Sequence, residues 1–414
     1  MAIKSEGSGT NKKWVTLVLH AENLELRKDP GQIPYHAYKV LGFESTLVTY
    51  YYSIEKGRSG GAQPPSEDSE KIKKDYPFLE TEVPGLKMHF LPLKGRKRFY
   101  ERAVFEYLKI NAKNIDVLNL LHFGSENIFY GFIYKYYNPK GKIYLKLDID
   151  LDFYNKTERI FQIAKLPIIG KWIEWIIIRF FFNLVSIISA ESSAGLMYFK
   201  NRFKPPTPKL ILLPNGVDED RIKALVPVLR TFEEKENIIL SVGRIGNIQK
   251  NNEMLMEAVS TLDLKDWKVF FVGPIEKEFL PKVERYYEQY PKLREKVFFV
   301  GASTSPQELY EYYNRAKIFC LTSRWEGFPL VCCEAAYFGN YLLYSNKINA
   351  FETLTDNGKY GTQFSINDIE ALKYLLMQFI ESTDSLKIKT SLCQEFAKKN
   401  LTWQESIKHL IPYL

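Results

Sequence analysis

The chain has 414 residues, 45% of them hydrophobic and 26% charged, a globular composition that excludes extensive disorder and at this length favours two hydrophobic cores over one. Its 57 Lys and Arg against 49 Asp and Glu leave a net charge of +8, a mild excess that suits phosphates, a lipid surface or nucleic acid without choosing among them. The four cysteines, Cys320, Cys332, Cys333 and Cys393, lack a metal-ligand spacing such as C-x-x-C and read as reduced, buried thiols of a cytoplasmic protein.

Residues 1–13 are polar and carry no signal-peptide pattern, and the first apolar run, residues 14–19, is strand-sized. K-D-P-G-Q-I-P-Y follows at residues 28–35 with Gly31 at its centre, then the strand run STLVTYY and a Gly/Pro/Ser-rich loop at residues 56–71. Lys94, Arg96, Lys97 and Arg98 stand beside Phe99, Tyr100 and Phe105, a basic and aromatic patch that suits either an anionic lipid surface or an ordinary solvated helix. The strand run VLNLL ends at His122, and KIYLKLD ends at Asp148, which opens the sequence D-I-D-L-D with Asp150 and Asp152. WIEWIIIRFFF, residues 172–182, reads as a core helix; Lys171, Glu174, Arg179 and Asn183 interrupt it too often for a membrane span, and a strand follows at residues 184–189. KPPTP at residues 204–208 is a second breaker, before the strand run LILLPNG.

The C-terminal half repeats the alternation with IILSVGR, KVFFVG at residues 268–273 and again at 296–301, KIFCLTS and NYLLYS. Short apolar runs between longer mixed segments predict parallel strands buried on both faces in doubly wound α/β domains, and the two KVFFVG copies predict equivalent parallel strands rather than a repeat protein. The break between domains falls in the polar stretch at residues 218–237: residues 1–222 form one domain and residues 223–400 the other.

The densest chemistry is C-L-T-S-R-W-E-G-F-P-L-V-C-C-E, where a strand empties into a loop with Ser323, Arg324 and Glu326, and Pro329 starts a helix that holds Glu334. The free N–H groups of a helix start attract phosphate, Gly327 lets a ligand approach the backbone, and a carboxylate accepts two hydrogen bonds from a ribose diol. The plain alternative is a solvated Glu326 and a first-turn Glu334 favoured by the helix dipole. A second cluster, S-V-G-R-I-G-N-I-Q-K, ends a strand at Gly243 and places Arg244 and Lys250 six residues apart, cations of the kind a diphosphate leaving group needs.

These segments, with P-N-G-V-D at residues 214–218, V-G-A-S-T-S-P-Q-E-L-Y at 300–310 and T-W-Q-E-S at 402–406, resemble glycosyltransferase family 4, the retaining enzymes of GT-B architecture. The resemblance implies two Rossmann-like domains facing a cleft, with residues 401–414 crossing back onto the N-terminal, acceptor-binding domain. It implies that Arg244 and Lys250 hold the diphosphate of a nucleotide sugar, that Glu334 binds the ribose, and that Glu326 sits beside the transferred sugar. Gly243, Ser323, Arg324, Gly327, Phe328, Pro329 and Leu330 would complete the donor site. No metal or other cofactor is implied.

Two departures stand out. Asn340 occurs where the family has Gly-x-Pro, and the usual Gly-Gly loop after the first strand is reduced to Gly31 and Gln32, with Gly31 kept as a close-approach glycine. Asp148 stands where the family often carries a histidine and, with His122, faces the cleft from the N-terminal side. D-I-D-L-D also resembles the metal-binding motif of the other glycosyltransferase fold, a role with no place in a GT-B chain. The resemblance therefore implies a retaining hexosyltransferase that uses a nucleotide sugar such as a UDP-sugar or GDP-sugar and a glycan or lipid-linked acceptor in polysaccharide or glycoconjugate synthesis. It would sit in the cytoplasm or peripherally on the membrane through Lys94, Arg96, Lys97 and Arg98, with no nucleic-acid partner. A GT-B epimerase or phosphorylase, or a non-catalytic partner subunit, are the alternatives on the same fold.

Overall fold

The computed structural model describes residues 12–53, 70–97, 100–149, 167–206 and 209–414. In chain order the strands of the first half are β1 (Lys13–Leu17), β2 (Glu44–Tyr50), β3 (Lys87–Leu91), β4 (Arg96–Lys97), β5 (Tyr100–Glu101), β6 (Val117–Leu121), β7 (Lys142–Leu147), β8 (Ile187–Ala190) and β9 (Leu210–Leu212). Apart from the β4–β5 ribbon they form one parallel sheet in the order β3-β2-β1-β6-β7-β8-β9. All five residues of β6 are buried, as expected of a strand covered by helices on both faces.

The helices Arg102–Asn111, Ser125–Tyr137 and Pro167–Leu184 cover one face through Leu108, Ile133 and Phe181. On the other face the Asp29–Lys39 helix packs Ile33 and Ala37 against Trp14, together with Trp403, Ile407 and Leu410 from the end of the chain. Val217 pairs with Thr402 in an isolated parallel bridge, so the chain crosses between the two halves at two adjacent points.

The second half contributes β10 (Glu236–Val242), β11 (Lys268–Val272), β12 (Val297–Gly301), β13 (Ala316–Leu321), β14 (Tyr341–Ser345) and β15 (Gly361–Phe364), parallel in the order β12-β11-β10-β13-β14-β15. The two KVFFVG copies are β11 and β12, side by side, with Phe270 stacked on Phe298 and Phe271 on Phe299 at 4.9 and 4.8 Å. Ile222 of the Glu219–Leu225 helix belongs to this second core, so the helix goes with the C-terminal domain. In each sheet the order reverses beside the first strand, between β1 and β6 and between β10 and β13. A crevice opens at the carboxyl ends of such strands, and it is where ligands bind in open α/β sheets.

Three features singled out in the sequence are placed by the fold. Gly31 is the third residue of the Asp29–Lys39 helix, and a Cβ there would come within 2.4 Å of the Leu26 backbone. The close approach this glycine permits is to the Asn23–Arg27 turn of its own chain. The Pro167–Leu184 helix is only half a core helix: Ile178, Phe181 and Phe182 are buried, but Trp172 is 65% exposed and Trp175 and Phe180 each 59%. Asn340 is fully buried and donates to the carbonyls of Tyr313 and Ala316 at 2.8 and 2.5 Å, which makes it a tie between helix and strand.

Candidate functional site

The loops after β10 and β13 meet at the reversal point of the C-terminal sheet. Gly243 follows β10 with φ 154°, and Gly273 follows β11 so closely that a Cβ on Gly273 would sit 1.9 Å from the Gly243 carbonyl oxygen. The aliphatic stem of Lys250 passes over Gly243, whose Cβ position lies 3.2 Å from Lys250 Cε. Lys250 thereby reaches Glu326 on the neighbouring loop, Nζ to Oε1 at 2.5 Å, with both side chains mostly buried. Ser323 donates from Oγ to the same oxygen at 2.8 Å.

Other contacts zip the loops together. Arg324 donates from its backbone N to the Gln249 carbonyl at 2.7 Å and from Nη2 to Asn251 Oδ1 at 2.7 Å, while Thr322 Oγ1 donates to the carbonyl of Asn251. Arg324 is thus occupied as a loop tie. Arg244 is exposed and pairs with no described residue, a guanidinium available to an anion.

Pro329 caps the Leu330–Tyr337 helix one residue earlier than expected, with its fixed φ of −74°, and Phe328 packs on the core beside it. Glu334 is the fifth residue of that helix, past the first turn, so the dipole reading does not account for it. Tyr313 donates its OH to Glu334 Oε2 at 2.8 Å, and burial raises the Glu334 carboxyl to about 7, with Arg27 and Arg221 opposing the rise. Glu334 and Leu330 line an inter-domain cavity of about 340 Å³ together with Arg27 and Gln32 from the N-terminal half and Ser303 and Thr304 after β12. The wall is braced by Glu82, buried, which accepts from Arg27 Nε at 2.7 Å and from Arg221 Nη2 at 2.6 Å.

The N-terminal wall of the cleft carries His122 and Asp148 at the ends of β6 and β7. Both are about half exposed, His122 lies in the left-handed backbone region with φ 69°, and its Nδ1 is 4.0 Å from Asp148 Oδ2. Asp150 and Asp152 lie outside the described residues. Behind Asp148 stands a buried charge group absent from the sequence reading. Lys146, fully buried, is 3.6 Å from Glu191 Oε2 and 3.9 Å from Asp29 Oδ2, and Asn215 donates to Glu191 Oε2 at 2.8 Å.

Burial pushes the Glu191 carboxyl well up, Lys146 opposes, and Asp148 and Asp29 push further in the same direction. A neutral Glu191 can share its proton with the neighbouring Asp148 carboxyl, whereas two carboxylates cannot bond. Among the described residues Glu191 Oε1 has no hydrogen-bond partner, and a methyl placed on Gly327 would lie 3.5 Å from it and 3.9 Å from Asp148 Oδ1. The two domains therefore bring Asp148 and Glu191 against the Glu326–Gly327 loop. One signal for this group was present in sequence: Lys146 interrupts an otherwise apolar strand run, and a lysine buried there needs carboxylates around it.

Residues 229–400 match the family described as Glycosyl transferases group 1. The amylovoran biosynthesis glycosyltransferase AmsD of Erwinia amylovora is 29% identical over 42% of this chain and 45% of its own length. An alpha-1,4-N-acetyl-D-galactosaminyltransferase of Campylobacter jejuni, named for a glycan on PP-undecaprenol, is 32% identical over 34% of this chain and 37% of its own. The chain thus spans less than half the length of each of these two relatives. Over nearly the whole chain the fold is that of the Anabaena protein HepE solved in complex with UDP, with a TM-score of 0.64, 13% identity, and coverage of 97% of this chain and 99% of that one. The architecture is GT-B.

Proposed function

We propose, for a chain whose residues 229–400 match the group 1 glycosyl transferases, that it transfers a sugar from a nucleoside-diphosphate donor to a glycan or lipid-linked acceptor, with retention at the anomeric carbon. The observation that carries this reading is the convergence of Arg244, Lys250, Glu326 and the Leu330–Tyr337 helix start on the crevice between β10 and β13. By their names AmsD acts in amylovoran biosynthesis and the Campylobacter transferase on a glycan carried by PP-undecaprenol, which supports the acceptor class.

In this reading the uncommitted guanidinium of Arg244 grips the diphosphate through paired hydrogen bonds, and Lys250 exchanges part of its contact with Glu326 for a phosphate oxygen. The backbone N–H groups of residues 330 and 331 face the same anion, while that of Cys332 is spent on the Pro329 carbonyl. Glu334 accepts the two ribose hydroxyls while Tyr313 holds its other oxygen. Glu326, fixed by Ser323 and Lys250, turns toward the transferred sugar, and Asp148 and Glu191 close the opposite wall.

The acceptor oxygen attacks the anomeric carbon from the face the leaving group departs, the bond to the β-phosphate oxygen breaks, and that phosphate takes the acceptor proton. The two cations and the helix start stabilise the charge that develops on the leaving group, so the reaction proceeds without a divalent ion. The test is to incubate purified protein with a panel of nucleotide sugars and follow release of nucleoside diphosphate with and without glycan acceptors. Release from one donor, lost in Arg244→Ala, is the expected result. No release from any donor together with wild-type nucleotide binding by Arg244→Ala would overturn it.

A further inference from the structure

The Pro167–Leu184 helix turns an aromatic face to the outside. Trp172, Trp175, Ile176 and Phe180 recur at i, i+3, i+4 and i+8, which places them on one side of the helix, and they are 65%, 59%, 40% and 59% exposed. The opposite side, through Ile178, Phe181 and Phe182, is anchored in the core, so the outer face is held rigidly in place. Phe132 of the neighbouring Ser125–Tyr137 helix packs on Phe180 at 5.8 Å between centroids, and Tyr136, 79% exposed, continues the surface.

The charge described on these segments is mainly basic, with Glu126 at the start of the Ser125–Tyr137 helix as the partly exposed acid. Within residues 127–147 and 167–206 the only acids are Glu174 and Glu191, and both are buried, whereas Lys140, Lys171, Lys200 and Lys204 are exposed. Arg179 lies within the aromatic stripe, 5.9 Å over the Trp175 ring, with Nη1 donating to the Lys204 carbonyl at 2.6 Å. No described helix is long and apolar enough to cross a membrane. An exposed aromatic helix face, with Lys171 and Arg179 on the same helix and Lys204 held beside Arg179, fits the interface of an anionic bilayer, where Trp and Phe insert among the headgroups and the cations meet lipid phosphates.

We propose that this helix seats the protein on an anionic lipid surface, lying in the plane of the interface with Trp172, Trp175 and Phe180 immersed. The helix connects parallel strands β7 and β8 and therefore runs back across the sheet, so its Pro167 end stands at the edge that carries Asp148 and Glu191. Lys171, Trp172 and Trp175 thus touch the membrane beside the mouth of the cleft. This surface is separate from the one the sequence suggested: Lys94 is paired with Glu106, and Arg98 and Phe99 lie outside the described residues. The inference stands whether or not the chain transfers sugar.

The experiment is flotation of the full chain with vesicles of phosphatidylethanolamine and phosphatidylglycerol, or of phosphatidylcholine alone, at low and high salt. The protein should float with the anionic vesicles and be released by salt, and Trp172→Ser/Trp175→Ser/Phe180→Ser should lower the partition coefficient by roughly tenfold or more with an unchanged unfolding midpoint. Brominated lipids should quench the wild-type tryptophan fluorescence, and Trp172→Phe/Trp175→Phe should float normally while losing that quenching. Absence of wild-type flotation, equal flotation of the Ser variant, or a wild-type dimer in sedimentation velocity that the Ser variant converts to monomer would each overturn the proposal; the last would assign the face to a second copy.

Discussion

Glu334→Gln separates stability from binding at one position. The wild-type carboxyl sits at about 7 in the folded chain against an ordinary 4.5, so between those values the folded protein holds a proton that the unfolded chain has released. Stability therefore falls as pH rises through that window and levels off above 7. A rise of this size corresponds to at most about 3 kcal/mol of charge burial, and less in practice because the side chain opens partly to the cleft.

The amide keeps an oxygen for the Tyr313 hydroxyl but adds an NH2 that lacks a partner, at a cost of about 1 kcal/mol. The variant should thus be slightly less stable than wild type at pH 4.5 and more stable by about 1–2 kcal/mol at pH 8.5. Urea denaturation of both proteins at the two pH values reads the difference directly. Binding should move the other way: replacing a carboxylate that accepts two ribose hydroxyls should weaken nucleoside-diphosphate affinity roughly tenfold or more at pH 8 by calorimetry. Wild-type affinity should decline as pH drops below 7 more steeply than that of the variant. Parallel pH profiles of stability for the two proteins, with equal affinities, would refute both the burial argument and the ribose assignment.

Arg244→Ala should leave the unfolding midpoint unchanged, because the side chain is exposed and unpaired among the described residues, yet weaken diphosphate binding about tenfold with a smaller salt dependence in a titration. Lys250→Ala leaves Glu326 without its cation in a mostly buried site, so it should lower stability by about 1–3 kcal/mol as well as binding, and a chemical-denaturation curve distinguishes it from Arg244→Ala. Glu191→Gln should retain the Asn215 hydrogen bond and the nucleotide affinity but reduce turnover about tenfold, measured as kcat against the calorimetric Kd of the nucleotide. Sugar transfer should survive exhaustive chelation; a strict need for manganese or magnesium in a turnover assay would return Asp148 to the role of a metal ligand.

The strand runs of both sheets and the loop chemistry of the C-terminal half were legible in the sequence. Parallel strands buried on both faces must be continuously apolar, and residues 320–334 and 241–250 hold their cations, glycines and carboxylates within single strand–loop–helix units. Two edge strands escaped notice, β3 with KMHFL and β15 with GTQF, because an edge is only partly covered and its pattern is neither continuous nor cleanly alternating. What only the tertiary structure decided depends on residues far apart in the chain. Glu82 meets Arg221 across 139 positions, and Lys146 meets Glu191 and Asp29. Gly31 is fixed by the Leu26 backbone, and half of the WIEWIIIRFFF helix is left outside the core. Local spacing specifies which residues share a loop or a helix face, but whether a face is covered, and which charge a buried charge finds, is set by the packing of elements that sequence distance does not reveal.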